Sequence, residues 1–168
     1  MEPLVSIIMG STSDLPVMEK ACKVLDDFAI PFEVNALSAH RTPDEVEKFA
    51  KGAAGRGIKV IIAGAGMAAH LAGVIAAMTP LPVIGVPIKS SFDGMDALLA
   101  MVQMPPGIPV ATVAVNGAMN AGILAAQILA AGDVALAGKI VTFKEGLKKK
   151  IVDANKELAE IKFAYKTN

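Results

Sequence analysis

A short polar segment in the first third of the chain combines side chains suited to proton transfer and phosphate binding. Ser38, His40 and Arg41 lie within four positions, and Thr42 and Pro43 follow them. An imidazole titrates near neutral pH, so it can both give and take a proton. A guanidinium can hold a phosphate through two parallel hydrogen bonds. A simpler interpretation is that Thr42 caps a helix that starts at Pro43, with His40 and Arg41 merely exposed. The capping role and the catalytic role are compatible, and we predict His40 as a proton-transfer residue.

An earlier segment, residues 10–14, reads Gly-Ser-Thr-Ser-Asp. A glycine and several hydroxyls before a helix N-terminus suit a phosphate, and Asp14 could accept hydrogen bonds from ribose hydroxyls. We therefore take Ser11, Ser13 and Asp14 as candidate binding residues. Alone, the segment is explained better as a helix cap made by Ser13, with Asp14 favourable to the helix dipole.

A third segment, residues 64–70, reads Gly-Ala-Gly-Met-Ala-Ala-His. Its spacing is typical of a dinucleotide-binding turn, but it follows the third predicted strand, and no acidic residue ends the next strand near Val86. We predict a close approach of the Gly64, Ala65 and Gly66 backbone to a small ligand, and no dinucleotide cofactor. His70 either faces that ligand or is a buried, hydrogen-bonded imidazole, and the sequence does not decide between these.

Alternating strands and helices are expected to position these segments. Short apolar runs predict strands at residues 4–9, 32–37, 60–63, 82–86 and 109–115. Helical spacing predicts helices from about Ser13, after Pro43 to about Gly57, and at residues 68–78, 93–102 and 116–130. This alternation indicates a three-layer α/β/α sandwich around a parallel sheet. Ligands of such sheets bind beyond the carboxyl ends of the strands, so the three segments should share one rim.

The last part of the chain, from about residue 133, has apolar residues on one side of a long amphipathic helix. We interpret its lysines at 148–150 as a solvated helix face rather than an anion site. We predict one catalytic domain over residues 1–168, with residues 133–168 as a helical extension that packs on neighbouring subunits.

Composition excludes several classes of partner. Lysine plus arginine and aspartate plus glutamate number 16 each, so no net positive charge favours nucleic acid. Cys22 is the single cysteine and there are two histidines, which argues against a metal site and suits a cytoplasmic protein. No apolar run reaches the length of a membrane span. Apolar residues make up 54% of the chain, which indicates faces buried between subunits, although a well-filled core is the alternative.

Several blocks in order make the chain resemble the class I 5-(carboxyamino)imidazole ribonucleotide mutases of purine biosynthesis. Besides residues 10–14 and 38–43, the matching blocks are residues 61–66, 68–71, 82–87, 102–105 and 107–112. The resemblance implies a flavodoxin-like, doubly wound α/β fold, a homo-octamer and no cofactor. It also implies a ribonucleotide substrate whose carboxylate moves from the exocyclic nitrogen to the adjacent ring carbon.

The resemblance also implies residue roles. His40 would be the general acid and base that assists decarboxylation and later removes the ring proton. Ser11, Asp14 and Arg41 would hold ribose and phosphate, helped by Ser13 and Ser38. The small residues of the third segment would form a tight wall against the base and the trapped carbon dioxide. The chain departs from the family at Met67, usually glycine, at Ala72, usually proline, and in residues 116–122.

Three rival functions fit the sequence less well. The class II reaction carboxylates aminoimidazole ribonucleotide directly with carbon dioxide, and the blocks favour class I over it. A non-catalytic flavodoxin-like nucleotide-binding module is disfavoured, since the chain has no tryptophan and only Tyr165 to stack on a flavin. A phosphoacceptor domain would need an acidic cluster after the first strand, where only Asp14 lies.

Overall fold

Five parallel strands form one sheet in the computed structural model, which describes residues 2–168. The strands are Val5–Met9 (β1), Phe32–Ala36 (β2), Val60–Gly66 (β3), Val83–Ile88 (β4) and Ala111–Thr112 (β5). Their order is β2-β1-β3-β4-β5, the flavodoxin-like order, which reverses direction between β1 and β3. β1 and β4 are buried along their whole length, as expected for strands covered on both faces. The predicted fold class is confirmed.

Helices cover both faces of this sheet. They are Leu15–Asp27 (α1), Pro43–Ala53 (α2), Leu71–Ala76 (α3), Met95–Val102 (α4) and Ala118–Ala130 (α5). A last helix, Val134–Glu160 (α6), follows them in the chain. One core joins α2, α3 and α4 through Phe49, Ile75 and Met101. α1 and α5 pack together, where Gly122 of α5 lies against Val24 of α1.

Two predicted elements around the third segment were wrong in their bounds. β3 continues to Gly66, beyond the expected end at Ala63, because residues 64–66 pair with residues 86–88 of β4. The helix expected from residue 68 starts only at Leu71. Met67 and Ala69 have φ of 56° and 46°, in the left-handed region, which a right-handed helix cannot include.

The predicted cap at the start of α1 was also wrong. Residues Thr12–Asp14 form a separate 3-10 helix, and Ser11 rather than Ser13 is its N-cap. The Ser11 hydroxyl accepts the Ser13 N–H at 3.3 Å, and the Asp14 carboxylate accepts the Ser11 N–H at 3.2 Å. This reciprocal capping box fixes both side chains at the end of β1.

The chain divides into two compact units, one ending at Leu129 and the other running from Ala130 to Asn168. In the second unit, α6 has the amphipathic pattern expected from about residue 133. Asp133 caps it by accepting the Leu136 N–H at 3.0 Å. Large apolar side chains are exposed along it, including Val141, Leu147 and Ile151. Within residues 2–168, no helix is both long and apolar enough to cross a membrane.

Candidate active site

A cavity of about 750 Å³ lies at the carboxyl ends of β1 to β4. All three predicted segments reach it, together with the segment after β4. Its lining residues are Gly10, Ser11, Ser13, Asp14, Val17, Ser38, Ala39, His40, Arg41, Ala65, Gly66, Met67, Ala68, Ala69, His70, Leu71, Ile88, Lys89 and Ser90. All of the predicted site residues except Gly64 line the cavity.

The segment between β2 and α2 is closed into a tight turn by Ser38 and Thr42. The Thr42 N–H donates to the Ser38 carbonyl at 2.8 Å, and the Ser38 N–H donates to the Thr42 hydroxyl at 2.9 Å. That hydroxyl in turn donates to the Ser38 carbonyl at 3.1 Å. Thr42 therefore stands before Pro43 as expected, but its side chain closes the turn and makes no bond to α2. The turn holds His40 at its tip, toward the cavity.

Arg41 is anchored to two neighbouring segments. Its Nη2 donates to the Gly10 carbonyl at 3.0 Å and its Nε to the Ser38 hydroxyl at 3.4 Å. The Arg41 backbone N–H also donates to that hydroxyl, at 3.2 Å. A guanidinium has five N–H donors, so this anchoring leaves donors for an anionic ligand.

The first segment presents hydroxyls and one carboxylate. The Ser13 hydroxyl donates to the Ser11 hydroxyl at 3.0 Å, beside the Asp14 carboxylate of the capping box. Burial raises the pKa of the Asp14 carboxyl, while the Ser11 N–H and the nearby Arg41 charge oppose the rise. Asp14 is thus a partly desolvated acceptor facing the cavity.

Small residues of the third segment line the cavity, but Gly64 is not one of them. Ala65 and Gly66 line the cavity at the end of β3. A Cβ on Gly66 would lie 3.0 Å from the Ile88 carbonyl oxygen, so glycine allows the two strands to meet closely there. A Cβ on Gly64 would instead point toward α1 and run into Met18. Its requirement for glycine is one of packing.

The two histidines of the chain meet at the cavity. His40 Nε2 lies 2.8 Å from His70 Nδ1, and the rings are nearly perpendicular, at 80° with centroids 4.9 Å apart. Both side chains are exposed. His70 therefore faces the cavity and is not a buried core imidazole.

Sequence reasoning missed the segment after β4. Ile88, Lys89 and Ser90 line the cavity, and the Lys89 N–H donates to the Asn116 Oδ1 at 2.9 Å. The Lys89 ammonium pairs with Asp93 at 2.8 Å, and this bond raises the pKa of Lys89 and lowers that of Asp93. Its position could have identified it, since this segment follows the carboxyl end of a strand of the same parallel sheet.

Two of the departures from the family, Met67 and Ala72, have different structural settings. Met67 lines the cavity, is 61% exposed and has φ of 56°, a conformation that glycine adopts without strain. Ala72 is fully buried in the first turn of α3, where its Cβ faces Gly85 of β4. Met67 thus places a large side chain at the cavity rim where the family usually has glycine, whereas Ala72 is buried in the core.

The site combines charged and hydroxyl groups with a pair of imidazoles and a wall of small side chains. Its cations are Arg41 and Lys89, and its acidic group is Asp14. Among residues 2–168, no group of three or more histidine, cysteine, aspartate or glutamate side chains could hold a metal ion. The arrangement suits binding of a small anion and transfer of a proton beside it.

Comparison with known proteins agrees with this architecture. The chain is 54% identical over 160 residues to the N5-carboxyaminoimidazole ribonucleotide mutase of Thermotoga maritima, covering 95% of this chain and 94% of that protein. It is 60% identical over 143 residues to the phosphoribosylaminoimidazole carboxylase of Saccharomyces cerevisiae, covering 84% of this chain but 25% of the yeast protein. A crystal structure of Treponema denticola PurE matches with a TM-score of 0.84 and 33% identity, covering 93% of this chain and 98% of that chain. Residues 4–150 match the AIR carboxylase family. The chain belongs to the AIR carboxylase family.

Proposed function

We propose that this protein is an N5-carboxyaminoimidazole ribonucleotide mutase of purine biosynthesis. It moves the carboxylate from the exocyclic nitrogen to the adjacent ring carbon and so makes 4-carboxy-5-aminoimidazole ribonucleotide. The observation that carries the proposal is the placement of His40 on the cavity wall beside the anchored Arg41. Mutase relatives that match over nearly their whole length support the same activity.

The substrate phosphate and ribose are held by the polar side of the cavity. Arg41 and the hydroxyls of Ser11 and Ser13 contact the phosphate, and Asp14 accepts hydrogen bonds from the ribose. Lys89 adds a second cation to the cavity lining. The small side chains of Ala65, Gly66 and Ala69 leave room for the imidazole base and confine the released carbon dioxide.

His40 carries one proton through both half-reactions. As the acid, it protonates the exocyclic nitrogen while the nitrogen–carboxylate bond breaks, and the electron pair of that bond stays on nitrogen. Carbon dioxide leaves and remains in the cavity. The ring carbon then attacks it, forming the new carbon–carbon bond. Neutral His40 finally removes the proton from that carbon, which restores the aromatic ring and regenerates the acid.

Supplying the two possible substrates separately tests the reaction. We expect purified protein to convert the carbamate ribonucleotide without added bicarbonate. Turnover of aminoimidazole ribonucleotide with bicarbonate, and none of the carbamate, would mean that the protein is a class II carboxylase. The yeast relative carries the carboxylase name, but this chain spans only about a quarter of its length.

Substitutions at two adjacent residues test the roles. We expect His40→Asn to retain ribonucleotide binding and to lose turnover by several orders of magnitude, since both half-reactions need a proton carrier. We expect Arg41→Ala mainly to weaken binding, by about 1.5–3 kcal/mol, the usual contribution of hydrogen bonds to charged groups. Calorimetric titration with product and steady-state rates separate the two effects. Retained turnover in His40→Asn would remove His40 from the mechanism.

We also propose that the protein works as a cytoplasmic homo-octamer. The exposed apolar side chains of α6, such as Val141 and Ile151, support assembly because a solvated monomer rarely keeps such a face uncovered. Sedimentation of the purified protein should give about eight times the 17.3 kDa chain mass. An Ile151→Glu variant should sediment as a smaller species, and an unchanged mass would exclude this face from the interface.

A further inference from the structure

The geometry points to His70 as a positioning residue that fixes which nitrogen of His40 exchanges a proton with the substrate. This inference deepens the proposed function and rests on it. We infer that His70 Nδ1 accepts a hydrogen bond from His40 Nε2–H throughout the reaction, so that His40 works through Nδ1.

The contact between the imidazoles requires a defined proton. At 2.8 Å, His40 Nε2 and His70 Nδ1 are at hydrogen-bond distance, so one must donate and the other accept. Two lone pairs facing each other would repel, and two N–H groups would clash. The nearly perpendicular rings bring the edge of one imidazole to the other, with centroids 4.9 Å apart.

The acid form of His40 decides the direction of this bond. When His40 is cationic, both of its nitrogens carry protons, so His70 Nδ1 must be the acceptor and His70 carries its own proton on Nε2. If His40 then released its Nε2 proton, both facing nitrogens would be bare until His70 changed tautomer. If it releases the Nδ1 proton, the bond to His70 is unchanged. Only release of the Nδ1 proton lets the same hydrogen bond between the two imidazoles persist in the acid and base forms of His40.

The backbone holds the two rings in this relation. His40 sits in the turn closed by Ser38 and Thr42. His70 immediately precedes α3, and its carbonyl accepts the Val74 N–H at 2.9 Å. The bend that leads to His70 is fixed by the Ala69 N–H, which donates to the Gly66 carbonyl at 3.0 Å. The charged groups that share the cavity with the pair are Asp14, Arg41 and Lys89.

The tautomer can be observed directly because the chain has two histidines. Protein labelled with ¹⁵N only in histidine gives two imidazole spin systems in long-range ¹H–¹⁵N spectra. The His70→Phe variant identifies the His40 signals. At a pH where both rings are neutral, we expect the proton of His40 on Nε2 in the unsubstituted protein and a mixture of tautomers in His70→Phe. A His40 proton on Nδ1, or an unchanged His40 spectrum in the variant, would overturn the inference.

Two substitutions separate positioning from packing in the kinetics. His70→Phe keeps a flat ring but no acceptor, whereas His70→Asn places a carbonyl oxygen near the position of Nδ1. We expect His70→Phe to lower kcat by about a hundredfold or more with little change in product affinity, as mispositioned catalytic imidazoles do. His70→Asn should stay within about tenfold of the unsubstituted enzyme, since its acceptor remains.

Other kinetic outcomes count against His70. An active His70→Phe enzyme would show that ring packing is enough. Equal losses in both variants would show that an acceptor is not what His40 needs. Absence of mutase turnover in the unsubstituted protein would instead refute the proposed function, while the spectra would still report the tautomer of His40.

Discussion

Replacement of Gly64 by alanine tests whether this glycine serves packing or ligand binding. A Cβ at this position would lie 2.9 Å from Met18 Cε and 3.2 Å from Ile88 Cδ1, and would also press on Met18 Sδ. Met18 is fully buried, so its side chain can make room for the new methyl group only by repacking within the core. Such overpacking typically destabilises a core by about 1–3 kcal/mol. For a chain of this length, each kcal/mol lowers Tm by about 2–4 °C, so we expect a fall of about 2–12 °C.

The assay is thermal and denaturant unfolding at one fixed protein concentration, together with calorimetric titration of product. Gly55→Ala is the matched control, because no atom lies within 4 Å of a Cβ there, and it should be nearly neutral. The Gly64→Ala, Met18→Ala double variant should lose less stability than the sum of the single changes, since a shorter residue 18 makes room for the new methyl group. Nucleotide affinity should be unchanged. An unperturbed Tm with lost affinity would refute the packing argument and return Gly64 to the binding site.

Three further substitutions test other parts of the site. Thr42→Val removes the hydroxyl that closes the turn below His40, so it should lower stability by about 1–2 kcal/mol and should also lower kcat. Thr42→Ser keeps the hydroxyl and should retain both. An unaffected Thr42→Val enzyme would show that the turn does not depend on the hydroxyl. Met67→Gly should raise stability by about 0.5–1 kcal/mol in chemical unfolding, because relief of a left-handed φ outweighs the added freedom of the unfolded chain; Met67→Ala keeps a Cβ and should show no gain. Burial raises the pKa of Asp14, so the folded protein binds a proton at this carboxyl more readily than the unfolded chain does. The stability that this proton contributes is present below the ordinary pKa of 3.8 and is lost as pH rises through the folded pKa. Asp14→Asn should therefore unfold at higher denaturant concentration than the unsubstituted protein near pH 7, with the difference shrinking in acid, while ribonucleotide binding weakens; a pH-independent difference would contradict this.

The sheet and its helices could be predicted because burial on both faces leaves a clear pattern. The apolar run at Val5–Met9 and the helical spacing before Phe28 depend only on local sequence. The end of β3 could not be predicted, since Gly64 and Gly66 are strand residues because β4 pairs with both and β1 pairs with Gly64. Glycine and alanine have weak strand preference, and tertiary pairing overrides it.

Much of the candidate site followed from position at the strand ends, but its contacts did not. The meeting of His40 and His70 depends on the left-handed Ala69, and alanine carries no local signal for that conformation. The anchoring of Arg41 on the Gly10 carbonyl joins segments more than 30 residues apart. Lys89 was missed because its segment shows no cluster of polar types that marks it out from an ordinary loop.

The parallel sheet also constrains how the protein folds. Every pairing between its strands is parallel, so each joins strands separated by a crossover, and no pair can form as a local hairpin. Such non-local topologies fold slowly compared with helical bundles. The cavity draws residues from the ends of four strands, so its polar groups come together only when β1, β2, β3 and β4 are in register. Ribonucleotide binding during refolding should therefore appear late, and would report completion of the central sheet rather than the earlier formation of helices.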